Sequence, residues 1–291
     1  MQNVWYDISK YTGGGIGMSI LWIIAGLAAA YLVCICPGLG RRDASHLMGY
    51  DYAHRGLHRA DVPENSLGAF RAAVEGGYGI ELDVRLTRDN VLVIHHDNAM
   101  KRLCGVDAKV KESTLEEVRR CRLRGTEERI PTFDEVLALV DGRVPLIVEL
   151  KAEGDAAQLS RAVWERMQRY GGPWCMESFD PRCVYWFRKH APQVIRGQLT
   201  FGMNEDRRKS KNRWMYRLLA SHIANCLTRP DFIAHEHQTD TKANWPLRLL
   251  RLMKPMMVAW TVKTQSDMTQ LRKRYDLLIF EQFIPQRSDA A

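Results

Sequence analysis

The sequence predicts an α/β protein: a (β/α)8 TIM-type barrel with a small β-hairpin excursion after its second strand, preceded by one transmembrane helix. Three observations lead to this fold class. Short β-branched runs alternate with amphipathic helical stretches, eight such units fit into about 240 residues, and an uncharged apolar stretch precedes them. An open doubly wound sheet is the alternative, but no G-x-G-x-x-G motif follows the first strand to support a dinucleotide site.

The apolar stretch lies near the N-terminus. Residues 11–40 carry no charge and residues 16–36 are predominantly apolar, whereas about 20 residues are enough for a helix to cross the hydrocarbon core. A cleaved signal peptide and a buried core helix are the alternatives. The signal peptide is disfavoured because Lys10 is the only preceding base and the apolar run is too long. Arg41 and Arg42 follow the run, so the positive-inside rule predicts a cytoplasmic C-terminal part.

These features divide the chain into five predicted segments. They are an N-terminal flank (1–14), a transmembrane helix (15–37), a linker (38–49), the barrel (50–285) and a C-terminal tail (286–291). The protein is therefore predicted to be a single-pass membrane protein. Its seven cysteines include no C-x-x-C pair, which favours free thiols over a disulfide framework or a zinc site.

The barrel elements follow from hydrophobic periodicity and from turn residues. Pro63 to Ser66 opens the first helix, and Asp89-Asn90 turns the chain into the hairpin arm. Helices are predicted from residue 66 to 76, at 115–121, at 133–140 and at 158–170. Strands are predicted at 52–54, 80–86, 146–150, 175–179, 194–199, 231–234, 257–262 and 277–280, with the hairpin arm at 91–94.

Carboxylates occur where the predicted strands end, which is where a barrel carries its chemistry. Glu81 and Asp83 are two residues apart and share one face of the second strand. A solvated strand edge would explain that pair alone, but Glu149 stands inside an apolar run and needs a cation nearby. Three carboxylates converging on one barrel mouth suit a hard divalent cation, either Ca²⁺ or Mg²⁺.

Histidines and fixed cations stand at the same strand ends. His54 ends the first strand, and His95 and His96 end the hairpin arm. A lone strand-end histidine is more often structural, but two near a metal can exchange protons near neutral pH. Arg55 and Lys151 add positive charge suited to a phosphate. A metal, an acid/base pair and phosphate-binding cations together indicate phosphodiester hydrolysis.

The order of short motifs along the chain resembles that of the glycerophosphodiester phosphodiesterase family. The resemblance covers roughly residues 50–285. It implies a TIM-type barrel and metal-dependent hydrolysis of glycerophosphodiesters to glycerol 3-phosphate and an alcohol. The motifs are His54-Arg55-Gly56, Pro63-Glu64-Asn65-Ser66, Glu81-Leu82-Asp83-Val84, His96-Asp97, Glu149-Leu150-Lys151, Ser178-Phe179-Asp180 and Ala259-Trp260-Thr261-Val262.

Matched by position, the resemblance assigns roles to the site residues. It implies Glu81, Asp83 and Glu149 as metal ligands. It implies His54 and His96 as the catalytic acid/base pair, since His96 rather than its neighbour precedes the aspartate of the motif. Which histidine is the acid and which the base stays open.

The resemblance also implies how the substrate is held. Arg55 would bind the phosphate, Glu64 and Lys151 would complete the polar floor, and Trp260 would wall the pocket. Family members often attack the phosphorus with the substrate's own glycerol hydroxyl, which gives a cyclic intermediate that water opens. The alternatives are lysophospholipase D-type hydrolysis of lysophospholipids at the membrane, or a non-catalytic lipid-binding barrel.

Two positions depart from the family pattern. The segment 280–285 replaces the usual Thr-Asp/Asn-Pro ending after the last strand, and Lys263 replaces a frequent asparagine. We expect both departures to affect substrate contacts and to leave the catalytic set untouched.

The positive charge of the chain is concentrated in one stretch. The chain has 42 Lys+Arg and 34 Asp+Glu, a net charge of +8, and residues 207–217 hold six bases and no acid. A local cluster argues against a histone-like protein, and no nucleic-acid partner is expected. The stretch is either a solvated helix or an interfacial helix whose bases meet anionic headgroups. The predicted membrane contacts are therefore residues 15–37 and, as a second candidate, residues 207–217.

Overall fold

The computed structural model describes residues 9–38, 42–241 and 244–286, with side chains from residue 18 onward. Residues 1–8 of the predicted flank, 39–41 of the linker and 287–291 of the tail lie outside the described residues. Arg41, half of the predicted positive-inside signal, is among them.

Eight parallel strands close into a barrel, as the sequence predicts. Each barrel strand pairs with the next along the chain, and the first pairs with both β2 and the last strand, β9, which closes the sheet. β3 lies outside the barrel, antiparallel to β2, and is the predicted hairpin arm. The strands are β1 (Asp51–His54), β2 (Gly79–Leu86), β3 (Leu92–Ile94), β4 (Leu146–Leu150), β5 (Trp174–Ser178), β6 (Arg196–Thr200), β7 (Phe232–Glu236), β8 (Met256–Val262) and β9 (Leu277–Phe280).

Helices connect the strands around the outside of the barrel. Several begin with a side-chain cap, such as Thr132, whose hydroxyl accepts from the Glu135 amide in a capping box. The helices are α1 (Ser9–Ile35), α2 (Leu67–Glu75), α3 (Lys101–Cys104), α4 (Leu115–Arg119), α5 (Phe133–Val140), α6 (Ala156–Met167), α7 (Pro181–His190), α8 (Glu205–Lys209), α9 (Arg213–Ala220), α10 (Asn225–Thr228), α11 (Trp245–Arg251) and α12 (Gln265–Leu271).

The amino-terminal half of the barrel interior is closed by apolar side chains. Tyr52 of β1 and Phe232 of β7 are fully buried there. Each ring occupies space beside a glycine on a neighbouring strand, Gly79 and Gly197, where an added Cβ would collide with the ring. The interior is therefore a packed floor, and only its carboxyl-terminal end is open to ligands.

The segment between β3 and α5 forms a small subdomain of its own. Its core contains Val93, Met100, Leu103, Val110 and Ile130, all nearly or fully buried. Because β3 pairs with β2, the residues that follow β3 are delivered to the side of the barrel mouth.

Helix α1 is apolar, and its C-terminal end packs on the barrel. Residues 18–30 are exposed, whereas Ile35 is fully buried. The Asn225 side-chain amide donates to the Ile35 carbonyl over 2.9 Å, and the Arg229 guanidinium donates to the Val33 carbonyl over 2.8 Å. By length and composition the helix fits a membrane span and also a signal sequence.

Candidate active site

The inward-facing side chains change from apolar to polar along several barrel strands. In β2 the inward positions run from Gly79 to Glu81 and Asp83, and in β4 Glu149 follows the apolar position 147. β5 repeats the pattern with Glu177. Alternation along each strand therefore brings the carboxylates to one level at the carboxyl-terminal mouth.

Three of these carboxylates form a cluster that can hold a metal ion. One oxygen from each of Glu81, Glu149 and Glu177 lies within 4.8 Å of the other two, and each residue is at most 6% exposed. Among the described residues, Glu81 Oε1 and Glu177 Oε2 have no hydrogen-bond partner. Burial, reinforced by the neighbouring carboxylates, raises the pKa of all three side chains, that of Glu149 to about 7. Buried oxygens without donors fit a divalent cation, which would supply the missing positive charge.

Asp83, the remaining predicted ligand, is surrounded by cationic and amide groups. Its carboxylate lies 3.3 Å from Arg55 Nε and 3.1 Å from Lys151 Nζ, and it accepts from the Asn65 amide over 2.8 Å. Burial alone would raise the pKa of Asp83, but Lys151 and Arg55 outweigh it and hold the pKa well below its usual range. Asp83 is therefore a charged partner of the two cations beside the cluster. Lys151 Nζ also lies 2.7 Å from Glu149 Oε1 and so joins the two groups.

Glu177 was not anticipated from the sequence. It is paired in register with Glu149 on the adjacent strand, which places the two carboxylates side by side. The signal that identified Glu149, a carboxylate inside a buried strand, was also present in the run from Cys175 to Ser178.

His54 lies at the mouth between two carboxylates. Its Nδ1 is 2.7 Å from Glu281 Oε2, and its Nε2 is 3.9 Å from Glu81 Oε2. Burial lowers the pKa of His54, although the hydrogen bond to Glu281 opposes the shift. Glu281 also lies 3.1 Å from Lys263 Nζ through its other oxygen. Burial would raise the pKa of Glu281, but its histidine and lysine partners lower it.

The expectation that the two departures from the family pattern leave the catalytic set untouched is wrong. Lys263 and Glu281 form an ion pair, and the same glutamate binds His54. The physical reason is barrel closure, which places the residue after β9 beside the residue at the end of β1. A carboxylate directly after the last strand was the signal in the sequence.

His96 reaches the mouth from the subdomain. Its Nδ1 is 2.7 Å from Asp97 Oδ1, and Asp97 accepts from Arg102 Nε over 2.6 Å. Arg102 in turn donates to both oxygens of Glu64 over 2.8 Å. Burial lowers the pKa of His96 to about 4, with Asp83 opposing the shift. The neighbouring His95 is fully buried, whereas the side chain of His96 is about one-third exposed.

Arg55 connects the end of β1, where His54 lies, to Glu64 and Glu81 in the mouth. Its NH1 donates to Glu64 Oε1 over 2.6 Å, and its backbone amide donates to Glu81 Oε2 over 3.0 Å. The following Gly56 has φ near +80°, and a Cβ there would lie 2.8 Å from the backbone of Ala69. Glycine is thus required at the turn that directs Arg55 into the mouth.

Aromatic side chains extend from the mouth toward α9. Lys151 Nζ lies 5.9 Å from the centre of the Phe179 ring. The ring of Phe179 is 5.5 Å from that of Trp260 and 5.6 Å from that of Phe201, which is 5.4 Å from Tyr216. We refer to Trp260, Phe179, Phe201 and Tyr216 as the aromatic row. The predicted wall residue Trp260 is thus one end of a row of packed rings, in which Phe179 is half-buried and Phe201 is buried.

The fold and the mouth define a class of protein, a TIM-type barrel with buried carboxylates and two histidines at its carboxyl-terminal end. The model of the glycerophosphoryl diester phosphodiesterase family matches residues 54–275, and the chain belongs to this family. The match includes all nine predicted site residues and begins at the first of them, His54.

Relatives with known names support the assignment. The chain is 41% identical over 108 residues to a glycerophosphodiester phosphodiesterase of Caldanaerobacter subterraneus subsp. tengcongensis, covering 34% of this chain and 44% of that one. It is 35% identical over 155 residues to glycerophosphodiester phosphodiesterase 1 of Mus musculus, covering 49% and 46%. The matched segments thus span less than half the length of these two relatives.

Solved structures show the same fold over a larger share of the chain. A phosphodiesterase of Oleispira antarctica, in complex with the product sn-glycerol-3-phosphate, superposes with a TM-score of 0.66 at 21% identity, covering 80% of this chain and 93% of that one. A glycerophosphodiester phosphodiesterase of Thermotoga maritima gives 0.59 at 26% identity, covering 79% and 94%.

Proposed function

We propose that the chain hydrolyses glycerophosphodiesters to glycerol 3-phosphate and an alcohol, using a divalent cation and two histidines. The observation that carries the proposal is the convergence of His54 and His96 on one mouth with buried carboxylates and two cations. Family membership and the names of the relatives support the same reaction.

The cation, Ca²⁺ or Mg²⁺, would be held by Glu81 and Glu149. Glu177 is the third ligand that the cluster favours, and Asp83 is the one that the sequence predicts. A bound divalent cation would stabilise the negative charge that develops on the phosphoryl oxygens.

The remaining residues bind the substrate and move protons. Arg55 and Lys151, both largely buried, would neutralise the phosphate. One histidine would accept the proton of the attacking hydroxyl, and the other would donate a proton to the leaving alcohol oxygen. The lowered pKa of each ring keeps it neutral near pH 7 in the free site, which suits the histidine that accepts the proton. The other histidine must be protonated before it can donate, and the negative charge of a bound phosphate would favour that form. Glu281 binds Nδ1 of His54, which leaves Nε2 free to face the substrate.

The test is an assay of the full chain in detergent with glycerophosphocholine, with and without EDTA. We expect release of glycerol 3-phosphate that EDTA abolishes and that Ca²⁺ or Mg²⁺ restores. His54→Ala and His96→Ala should each lower the rate by roughly 10²–10⁴-fold, whereas His190→Ala, an exposed histidine on α7, should not. Turnover that survives both site variants would refute the catalytic assignment.

Hydrolysis of lysophospholipids is the second candidate function, and the aromatic row favours it. An acyl chain would contact the half-buried rings of Phe179 and Trp260 beside Lys151. We expect Phe179→Ala to lower kcat/KM for a lysophospholipid more than for glycerophosphocholine. Equal losses for the two substrates would argue against this function. Lipid binding without any turnover would identify a non-catalytic barrel.

The chain is proposed to be anchored by a single span within residues 15–37, with the barrel in the cytoplasm. Ile35 is buried against the barrel and accepts a hydrogen bond from Asn225, which supports an anchor that stays attached. Cleavage of the helix as a signal peptide would remove Ile35 and expose the barrel residues that it covers. Arg42 at the flank supports the orientation, although it also pairs with Asp231. Membrane retention after alkaline extraction, with protease access to the barrel only from the cytoplasmic side, is the expected result.

A further inference from the structure

The direction of α1 relative to the barrel determines which face points toward a bilayer. Its C-terminal end contacts the start of β7, since the Gly38 amide donates to the Pro230 carbonyl over 2.9 Å. Four residues before Ile35, Tyr31 instead contacts the other end of the barrel. Its ring lies 5.4 Å from that of Trp245, which follows the loop leaving the carboxyl end of β7. Toward its N-terminus, α1 therefore runs beyond the carboxyl-terminal mouth.

The part of α1 beyond this contact makes up most of the proposed span. Residues 15–30 are 16 uncharged residues, and a helix of that length measures about 24 Å, most of the thickness of the hydrocarbon core. Those with described side chains, 18–30, are all exposed. If this segment spans the membrane, Tyr31 and Trp245 lie at the level of the headgroups, where aromatic side chains are enriched. The barrel mouth then faces the bilayer.

Helix α9 exposes an apolar face on the same side of the molecule. Trp214, Met215 and Leu218 are 68%, 50% and 45% exposed, whereas Leu219 and Ala220 on the opposite face are buried against the barrel. The helix lies at the level of the mouth, because the Thr200 hydroxyl at the end of β6 donates to the Leu219 carbonyl.

This apolar face is continuous with the contact made by α1. The Tyr31 hydroxyl donates to the carbonyl of Ser221, directly after α9, over 2.9 Å. Trp245 is 59% exposed, and it lines one depression together with Arg217 and Ser221. We refer to Trp214, Met215, Leu218 and Trp245 as the interfacial surface.

Unpaired bases surround the interfacial surface. Within the described parts of the chain, no salt bridge involves the four exposed bases Arg208, Lys211, Arg213 and Arg217. The guanidinium of Arg217 lies 4.9 Å from the centre of the Trp214 ring. By contrast, the half-buried Arg207 pairs with Glu236 and belongs to the folded barrel. An apolar face rimmed by free positive charge complements a bilayer that contains anionic lipid.

We propose that the interfacial surface docks on an anionic bilayer, so that α1 and α9 together hold the barrel mouth against the lipid. This inference rests on the proposed membrane span and is independent of catalysis. A second copy of the chain is the competing occupant of the surface. The charge of the rim argues against it, because two copies would bring like charges together.

The test is photo-crosslinking of the full chain reconstituted in nanodiscs that contain phosphatidylglycerol. We expect p-benzoylphenylalanine introduced at Trp214 to form an adduct with lipid. The matched control is the same substitution at Tyr185, an exposed aromatic residue on α7 that is 41% accessible, and it should form none. A chain–chain adduct at 214 would overturn the proposal in favour of a dimer, and equal lipid labelling at 214 and 185 would overturn it as well.

Charge reversal tests the electrostatic part of the proposal. R213E/R217E removes two bases and adds two acids, so the docking equilibrium should fall by more than the roughly 30-fold that loss of the two bases alone gives, and the adduct should fall with it. R161E/R169E, at exposed positions on α6 and just after it, should leave the adduct unchanged. An adduct that R213E/R217E does not reduce would overturn the electrostatic account. Alkaline extraction of the same samples measures separately whether α1 spans the membrane. The crosslinking test does not depend on turnover, so it also gives a result for a chain without activity.

Discussion

At the residue scale, each of the two histidines of the site has a carboxylate partner that fixes the direction of its ring. Glu281 fixes the ring of His54, and Asp97 fixes that of His96, both through Nδ1 at 2.7 Å. Both rings are thereby held with Nε2 available. The same arrangement makes Glu281 a positioning residue, although the chain departs from its family at this point.

Glu281→Gln is expected to lower kcat/KM for glycerophosphocholine by roughly tenfold or more. The neutral amide loses the charge that stabilises protonated His54, which is part of the 10²–10⁴-fold contribution of a positioned acid/base group. Steady-state kinetics of the full chain in detergent measures the effect, and the pH profile should shift because the histidine loses an anionic partner. Glu127→Gln, an exposed carboxylate on the subdomain, is the control. Equal kinetics in the two variants would show that Glu281 does not position His54.

Glu177→Gln and Asp83→Asn distinguish two descriptions of the metal site. If Glu177 is a ligand, Glu177→Gln should raise the metal concentration needed for half-maximal activity, by roughly 10–100-fold. If Asp83 serves only to pair with Arg55 and Lys151, Asp83→Asn should instead weaken phosphate binding and raise KM. Direct metal titration by calorimetry complements the kinetics. Unchanged metal affinity in Glu177→Gln would exclude it as a ligand.

At the element scale, the subdomain after β3 positions one of the two histidines. Arg102 of α3 connects Asp97, the partner of His96, to Glu64 on the barrel side through three hydrogen bonds. This planar fork spans two carboxylates, and Lys cannot reproduce it. The subdomain thus contributes a side chain to the site and does more than cover the barrel.

Arg102→Lys should therefore lower activity with little change in melting temperature. We expect a fall of roughly tenfold in kcat/KM, because His96 loses the group that holds Asp97. The matched control is Arg120→Lys, whose partner Glu116 is as exposed as the arginine itself, so that surface pair contributes little. A large drop in the Tm of Arg102→Lys would show that the residue acts on folding, and the activity argument would fail.

At the scale of the whole molecule, two buried histidines outside the site affect the stability of the fold. His222, between α9 and α10, is 2% exposed, and neither ring nitrogen has a hydrogen-bond partner among the described residues. His235 on β7 is fully buried, and His222 is close enough to help lower its pKa. Burial lowers the pKa of His222 to about 4 and that of His235 to about 3.

These two histidines predict that the protein loses stability in mild acid. In the unfolded chain a histidine has a pKa near 6.5, so below about pH 6.5 the unfolded state binds protons that the folded state cannot. The stability that the two neutral rings contribute is therefore fully present above about pH 6.5. It is lost as the pH falls toward the pKa values of the rings in the folded state, near 4 for His222 and 3 for His235. At pH 5 each ring contributes a loss of about 2 kcal/mol.

His222→Asn should reduce the fall in Tm between pH 7 and pH 5. Asparagine removes the titrating ring and tolerates the positive φ of 58° at this position. Thermal unfolding of the full chain in detergent at the two pH values measures the difference. His46→Asn, an exposed histidine in the linker, serves as the control and should retain the wild-type fall. If the Tm of His222→Asn fell between pH 7 and pH 5 by as much as that of the wild type, other groups would control the stability in acid.

Much of the fold could be predicted from the sequence because its signals are local. Alternation and β-branching identify buried strands, and the bounds of β4, β9 and α5 agree with the prediction residue for residue. Glu81, Glu149 and His54 were found because each interrupts or ends an apolar run, and the structure brings them to one mouth.

Only the tertiary structure decided which side chains meet across the barrel. Closure of the sheet brings Glu281 next to His54, from which it is separated by 227 positions in the sequence. The register of β4 and β5 pairs Glu177 with Glu149. The packing of α1 against the barrel directs its apolar N-terminal part past the mouth. The sequence by itself determined the strands, the helices and the chemical types available at their ends, because these depend on near neighbours. Partners, charge states and orientation depend on contacts between distant residues, which exist only once the barrel has closed.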